Sequence, residues 1–147
     1  MTQFFSQKDI DDYREAFYLY AQKGVVDNPG HLRYIMRCVG QSPTVDESQI
    51  YFRKVKKIDF ARFLEILHEH QKKEKPRQEI MTAFQMHDKH RKGSITAKEL
   101  RSLLMGTGEK LSAKEVDLIF KEANIHSNSQ VRYADFVNII SGPLPDY

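Results

Sequence analysis

The chain has 147 residues, with 23 Lys+Arg against 20 Asp+Glu, a formal charge of +3, 40% hydrophobic and 29% charged residues. This composition excludes wholesale disorder, no apolar run reaches the roughly 18 residues that span a bilayer, and MTQFFSQKDI is not a signal-peptide pattern. The single cysteine, Cys38, excludes an internal disulfide framework and +3 is too small a charge to argue for nucleic acid, so a soluble, intracellular chain is expected.

Ser6 opens the first element with Asp9 three residues on. Ile10, Tyr13, Phe17 and Tyr20 follow at three- and four-residue steps, which predicts a capped amphipathic helix over 6–20. Further helices are predicted at 30–39, 44–55, 60–73, 77–87, 97–105, 112–122 and 133–141. Thr44 with Glu47, Thr96 with Glu99 and Ser112 with Glu115 repeat the opening signal, a hydroxyl that accepts from a backbone N–H and a carboxylate that reaches back. The short gaps inside the helix pairs each hold a β-branched residue: Val26, Ile58, Ile95 and Val131. The chain is therefore all-α, one helix–loop–helix unit used four times.

Subtraction supports the repeat: Phe84 to Phe120, Ile95 to Val131 and Leu100 to Phe136 are each 36 positions apart. The stretch HEHQKKEKPRQE (68–79) lacks apolar residues and contains Pro76. It divides the chain into an N-terminal lobe at 1–70, a linker at 71–79 and a C-terminal lobe at 80–147. Lobes of that size bury only about 60% of their unfolded surface and gain from a metal or a partner.

No Ser/His/Asp or Cys/His arrangement, Gly-rich phosphate loop or paired-carboxylate site is present, so an enzyme is not expected and no cofactor is implied. His87 and His90 flank Asp88, with His68 and His70 earlier, but a zinc site needs three or four ligands and no competing lysine. These histidines are expected to be solvated. Arg53, Lys54, Lys56 and Lys57 read as a solvated face, and Cys38 is expected to pack on the apolar side of the second helix.

The strings FSQKDIDDYREAF (5–17), SPT (42–44), LRSLLMGTGEKLSAKEVD (100–117) and QVRYADFV (130–137) resemble calmodulin, and the match runs along essentially the whole chain with local deletions. The chain is similar to the calmodulin and myosin light chain EF-hand family. Within it, MRCVG (36–40) and the Pro-Leu-Pro-Asp-Tyr ending point to the calmodulin-like light chain of class VII unconventional myosins. The resemblance implies two lobes, each a pair of EF-hands, that bind amphipathic target helices.

The metal loops depart from that pattern. An EF-hand loop that binds calcium supplies oxygens from positions 1, 3, 5, 7, 9 and 12, with Gly at 6 and a bidentate Glu at 12. The third loop, Asp88 to Glu99, keeps Gly93 and Glu99 but has His90 at position 3 and Lys92 at position 5. A divalent ion about 4 Å from an ammonium is repelled by roughly 8 kcal/mol at an effective dielectric of 20, less whatever Lys92 avoids by swinging into water. Asp88 and Glu99 are thus only a weak metal candidate. The fourth loop, Asn124 to Asp135, carries His126, Asn128, Ser129 and Arg132 and keeps one short carboxylate. In the first unit Ala21 replaces the opening Asp, the loop is one residue short and Pro29 lies near its end. In the second, Lys56 and Lys57 alone separate Val55 from Ile58, and Arg62 stands where the closing Glu belongs. Four silent EF-hands, and no bound metal, are expected.

A family member without calcium sites clasps IQ motifs, the basic amphipathic helices of a myosin lever arm. The resemblance then places Ile80, Phe84, Leu100, Leu104, Met105, Ile119, Phe120, Phe136, Ile139 and Ile140 in the C-terminal groove. It places Phe17, Leu32, Ile35, Met36, Tyr51, Phe52, Phe63 and Leu67 in the N-terminal one. Each is also a candidate for plain core packing. Only five methionines occur, which favours a dedicated subunit over a promiscuous adaptor. The expected function is a calcium-insensitive light chain on an IQ-motif helix of an unconventional myosin heavy chain. That chain would be cytoplasmic and cytoskeleton-associated, with no nucleic acid, membrane insertion or homo-oligomer. Acidic patches at Asp9, Asp11, Asp12 and Glu15, or at Glu115, Asp117 and Glu122, would have to attract the basic helix. The alternatives are a weak calcium sensor working through Asp88 and Glu99, or a non-myosin centrosomal or ciliary scaffold. The shortened N-terminal loops predict that the C-terminal lobe grips while the N-terminal lobe stays closed.

Overall fold

Each helix begins where its sequence supplies a cap or a proline. In the structure, a computed structural model that describes residues 3–142, α1 (Gln7–Tyr20), α3 (Val45–Ile50) and α7 (Ala113–Glu122) open on reciprocal capping boxes. These are the boxes of Ser6 with Asp9, Thr44 with Glu47 and Ser112 with Glu115. At α6 (Ala97–Gly106) only the hydroxyl half of the expected box forms, Thr96 accepting from the Glu99 N–H. α2 (Pro29–Cys38) and α5 (Pro76–His87) place proline in the first turn, where its missing N–H costs nothing. α4 (Phe60–Lys73) is capped by Asp59, and α8 (Tyr133–Ile140) completes the set.

The helix expected at 44–55 is shorter than the periodicity suggests: α3 ends at Ile50. Phe52 and Arg53 make only tight i→i−3 backbone bonds, and the like charges of Arg53, Lys54, Lys56 and Lys57 follow, so the helix unwinds into an exposed loop. Those four cations are exposed, as are His87 and His90. Two sequence expectations fail. Cys38 is exposed, because it lies at the edge of the Leu32–Ile35–Met36 face of α2, beside Tyr34. The neighbouring Tyr20 phenol is pushed up to about 12, chiefly by its hydrogen bond to Tyr34 and secondarily by the Tyr34 and Cys38 charges. His68 and His70 are not solvated either: His68 stacks on Phe4 at 3.9 Å, and His70 is buried beside Glu74.

The four β-branched gap residues pair with one another. β1 (Val25–Val26) and β2 (Ile58–Asp59) form one antiparallel ladder with Val26 opposite Ile58; β3 (Ser94–Thr96) and β4 (Gln130–Arg132) form the other with Ile95 opposite Val131. Each ladder joins two helix–loop–helix units. The chain divides into a first unit, Met1–Glu74, and a second, Lys75–Tyr147. The segment read as a linker, 71–79, is helical at both ends, leaving Glu74 and Lys75 between α4 and α5. The Pro-Leu-Pro-Asp-Tyr ending lies outside the described residues.

The first unit closes around Phe17, Val26, Leu32, Ile35, Met36, Ile58, Phe63, Ile66 and Leu67, all wholly buried. The second packs Phe84, Ile95, Leu100, Val116, Phe120, Val131, Phe136 and Val137. Among the described residues no helix is long and apolar enough to cross a membrane. Because Ile58 is wholly buried and Val55 is 37% exposed, Ile58→Ala is expected to lower the unfolding free energy by about 2–5 kcal/mol and Val55→Ala by less than about 0.5 kcal/mol, measured by urea denaturation.

Candidate functional site

Two features are candidates: the loops of the helix–loop–helix units and the apolar face of the second unit. In the third loop Asp88 ends α5, and both its carboxylate oxygens are occupied. Oδ1 accepts from Lys92 N at 3.1 Å, while Oδ2 accepts from Gly93 N at 2.8 Å and from the Tyr133 hydroxyl at 2.9 Å. Gly93 takes φ +71° to aim that N–H. Tyr133 opens α8 and stacks on Phe84 with ring centroids 5.5 Å apart. A phenol from the fourth helix–loop–helix unit therefore links to the loop of the third. The Gly93 N–H foremost, then the Lys92 N–H and the Tyr133 O–H, hold the Asp88 carboxyl below the usual carboxylate range. Asp88 in turn raises the Tyr133 phenol.

Glu99, the other expected ligand, is exposed. The two acids share a cavity of about 320 Å³ with His87, His90 and Lys92. Among the described residues no group of three or more His, Cys, Asp or Glu side chains could hold a metal ion. With one carboxylate already satisfied by the protein and a lysine in the ligand ring, this donor set does not fit calcium.

The remaining loops have been turned to structural use. Ala21 is buried in the core at the first loop's opening position. Asn28 caps α2, accepting from His31 N at 2.8 Å. In the second loop Asp59 caps α4, and Arg62 pairs with Glu65 at 2.9 Å and with Glu69 at 3.5 Å. In the fourth, Asn124 sits at φ 54°, and His126 N donates to Ser129 Oγ.

The apolar residues expected to line two grooves fall into different environments. In the first unit Phe17, Leu32, Ile35, Met36, Phe63 and Leu67 are wholly buried, and Tyr51 and Phe52 are half-buried. The exposed apolar residues of this unit, among them Tyr18, Leu19, Tyr34 and Ile50, are not the ones expected to line the groove. In the second, Phe84, Leu100, Phe120 and Phe136 form the floor, while Ile80, Leu104 and Ile119 are half-buried. Met105, Ile139 and Ile140 are 36%, 52% and 39% exposed. The repeat makes the contrast direct: Ile139 and Ile140 correspond in α8 to Ile66 and Leu67 in α4, which show no exposure at all. Met81, Leu103 and Leu111 also border this face and went unsingled in the sequence, although Leu103 adjoins the chosen Leu104.

The acidic patches are more engaged than the sequence suggests. Asp9 belongs to the α1 capping box, Asp11 pairs with Arg14 and Asp12 with Lys8. Glu115 belongs to the α7 capping box, and Asp117 is bridged by Arg101 at 2.6 Å. Charge on these acids that is already met within the chain is less available to a cationic partner.

Comparison with known proteins gives concordant results. Residues 77–141 match the family model of an EF-hand domain pair. The chain is 46% identical to calmodulin-like protein 4 of Mus musculus and 42% identical to that of Bos taurus, each alignment covering all of both chains. Among solved structures it resembles the myosin II regulatory domain of Physarum polycephalum, with TM-score 0.69 and 26% identity over 94% of this chain and 98% of that one. It shares the fold of Mlc1p bound to IQ2 of Myo2p, a class V myosin, with TM-score 0.62 and 24% identity over 89% and 98% of the two chains.

The Asp88–Tyr133 contact sets a pH dependence. A carboxyl whose folded pKa is lowered contributes stability above its unfolded value, about 4, and that contribution is lost as pH falls through the folded value. A phenol whose folded pKa is raised contributes below its unfolded value, about 10, and loses that contribution as pH rises through the folded one. Tyr133→Phe is therefore expected to lower the thermal midpoint at pH 7. Its difference from wild type should shrink at both the acid and the alkaline end of a calorimetric pH series.

Proposed function

We propose that this chain, which belongs to the EF-hand calmodulin-like family, is a dedicated light-chain-like subunit that clasps an IQ-motif helix of an unconventional myosin heavy chain without a calcium requirement. The carrying observation is the difference between the two units: the second presents Ile139 and Ile140, with Met105 also exposed, above an aromatic and leucine floor, while the first buries Ile66 and Leu67, the equivalents of the two isoleucines. Apolar anchors at i, i+3, i+4 and i+7 of a target helix suit such a face, so the second unit grips and the first stays closed. The likeness to a myosin regulatory domain supports a lever-arm helix as the target, and the MRCVG segment favours a class VII heavy chain.

Calcium independence follows from the loops. A sensor lobe opens when metal reorganises its loops. Here Asp88 is held by Tyr133, Gly93 and Lys92 instead, which supports a lobe that does not depend on metal. The working location is then the cytoplasm, on the motor and its actin tracks.

Calorimetric titration of IQ peptides into the full chain tests this reading. Equal dissociation constants are expected in calcium and in chelator. The pair Ile139→Glu and Ile140→Glu should weaken binding at least tenfold, about 1.4 kcal/mol, whereas Tyr51→Ala leaves it within about twofold. Phe136→Ala also weakens binding, but through the floor it supports, since Phe136 is 1% exposed. Binding only in calcium would restore the third loop as a sensor. No binding in either condition would move the protein to a non-myosin scaffold.

A further inference from the structure

Closure of the first unit is not left to its apolar core. The connection between α2 and α3, residues 39–44, crosses to the last turns of α4 and is fastened there by polar contacts. Gln41 Nε2 donates to the Leu67 carbonyl at 3.1 Å. Ser42 N donates to Glu74, 2.8 Å from Oε1 and 3.1 Å from Oε2. Glu74 Oε2 also lies 2.7 Å from Nε2 of His70, off the hydrogen-bonding axis. The other ring nitrogen of His70 faces the Tyr51 hydroxyl, which follows α3, at 3.4 Å. The side chains of His70 and Glu74 are 2% and 9% exposed, and Pro43, next after Ser42, is buried.

The contacts of Gln41, Ser42 and Tyr51 cross one seam, while the His70–Glu74 contact lies within α4 and holds together the two groups that Tyr51 and Ser42 meet. Uncovering Leu32, Met36 and Leu67 for a target helix requires α2 and α3 to move away from α4, and that motion breaks the three seam contacts. Exposed capping bonds such as Ser6 to Asp9 lie within one element and would survive it. A carboxylate and an imidazole packed out of water are also poor hosts for a half-open state, since losing one partner leaves the other buried and unpaired.

We propose that Gln41, Ser42, Tyr51, His70 and Glu74 form a latch that holds the first unit shut, so that this unit engages a target only after the latch is displaced. The latch lies wholly within the first unit. Its consequence for target gripping rests on the reading given under Proposed function.

Hydrogen exchange on the full-length protein decides the latch without any target. With Gln41→Ala and Glu74→Ala together, amides of 40–44 and of the end of α4 should exchange at least tenfold faster, while those of β1 and β2 stay unchanged. Glu74→Gln, whose amide oxygen still accepts from Ser42 N, should keep most of the protection. Ile58→Ala, which weakens the unit away from the latch, should instead speed exchange throughout it. Uniform acceleration in the latch variant, or none, overturns the proposal. Methyl resonances of Leu32, Met36 and Leu67 then report on the target: an IQ peptide should leave them unmoved in the wild type and shift them in the unlatched variant. Movement in the wild type would show that the latch holds nothing back. A peptide that binds neither protein would overturn the light-chain reading, while the exchange result would still stand.

Discussion

The pairing of Val26 with Ile58 and of Ile95 with Val131 is the constraint on which both units depend. A single helix–loop–helix cannot bury its apolar face by itself. These two short ladders each set two such elements back to back, so that helices α1 to α8 close over two cores rather than four partial ones. The ladder residues are themselves buried in those cores, Val26 and Ile58 completely. In loops that retain their ligands an ion would share this task. Here Asp88 with Tyr133, Asn28 at α2 and Asp59 at α4 hold the loop ends with hydrogen bonds of the protein's own.

On that common frame the two units diverge by what covers one turn of helix. α4 runs 14 residues and its last turns lie under the 39–44 connection; α8 runs 8 residues and ends at Ile140. The same apolar pattern therefore gives a closed core in one unit and an exposed face in the other. Exposed isoleucine and methionine beside a buried aromatic floor is an arrangement that water tolerates poorly, and covering it is favourable at about 25 cal/mol per Å². Whatever covers it contributes to the stability of a small domain.

Much of this was legible in the sequence. Capping pairs, helix period and the 36-residue offset located the helices, because each is a local property of a short stretch. The β-branched gap residues marked the four loops, but their pairing into two ladders is a non-local feature that no single gap announces. What escaped notice was non-local: nothing near Tyr133 announces Asp88, 45 positions away, and nothing near Ser42 announces Glu74, 32 positions away. Cys38 was misplaced because periodicity defines a face and not its edges, which depend on where α1 lies over α2. α3 was overextended because its apolar residues kept helical spacing past the point where the cationic run undid the backbone. The exposure of Ile139 and Ile140, on which the candidate site turns, could not be read from residues that look alike in α4.

The exposed cations of the second loop carry an electrostatic consequence. Arg53, Lys54, Lys56 and Lys57, with Lys23 in the first loop, charge the loop end of the first unit positively, at the place where a metal-binding relative of this architecture collects carboxylates. Within a Debye length of about 8 Å in physiological salt, that end repels cations and attracts anions. A divalent metal ion is therefore opposed on its way to this loop before it reaches any oxygen, and the charge of the loop end adds to the loss of ligands.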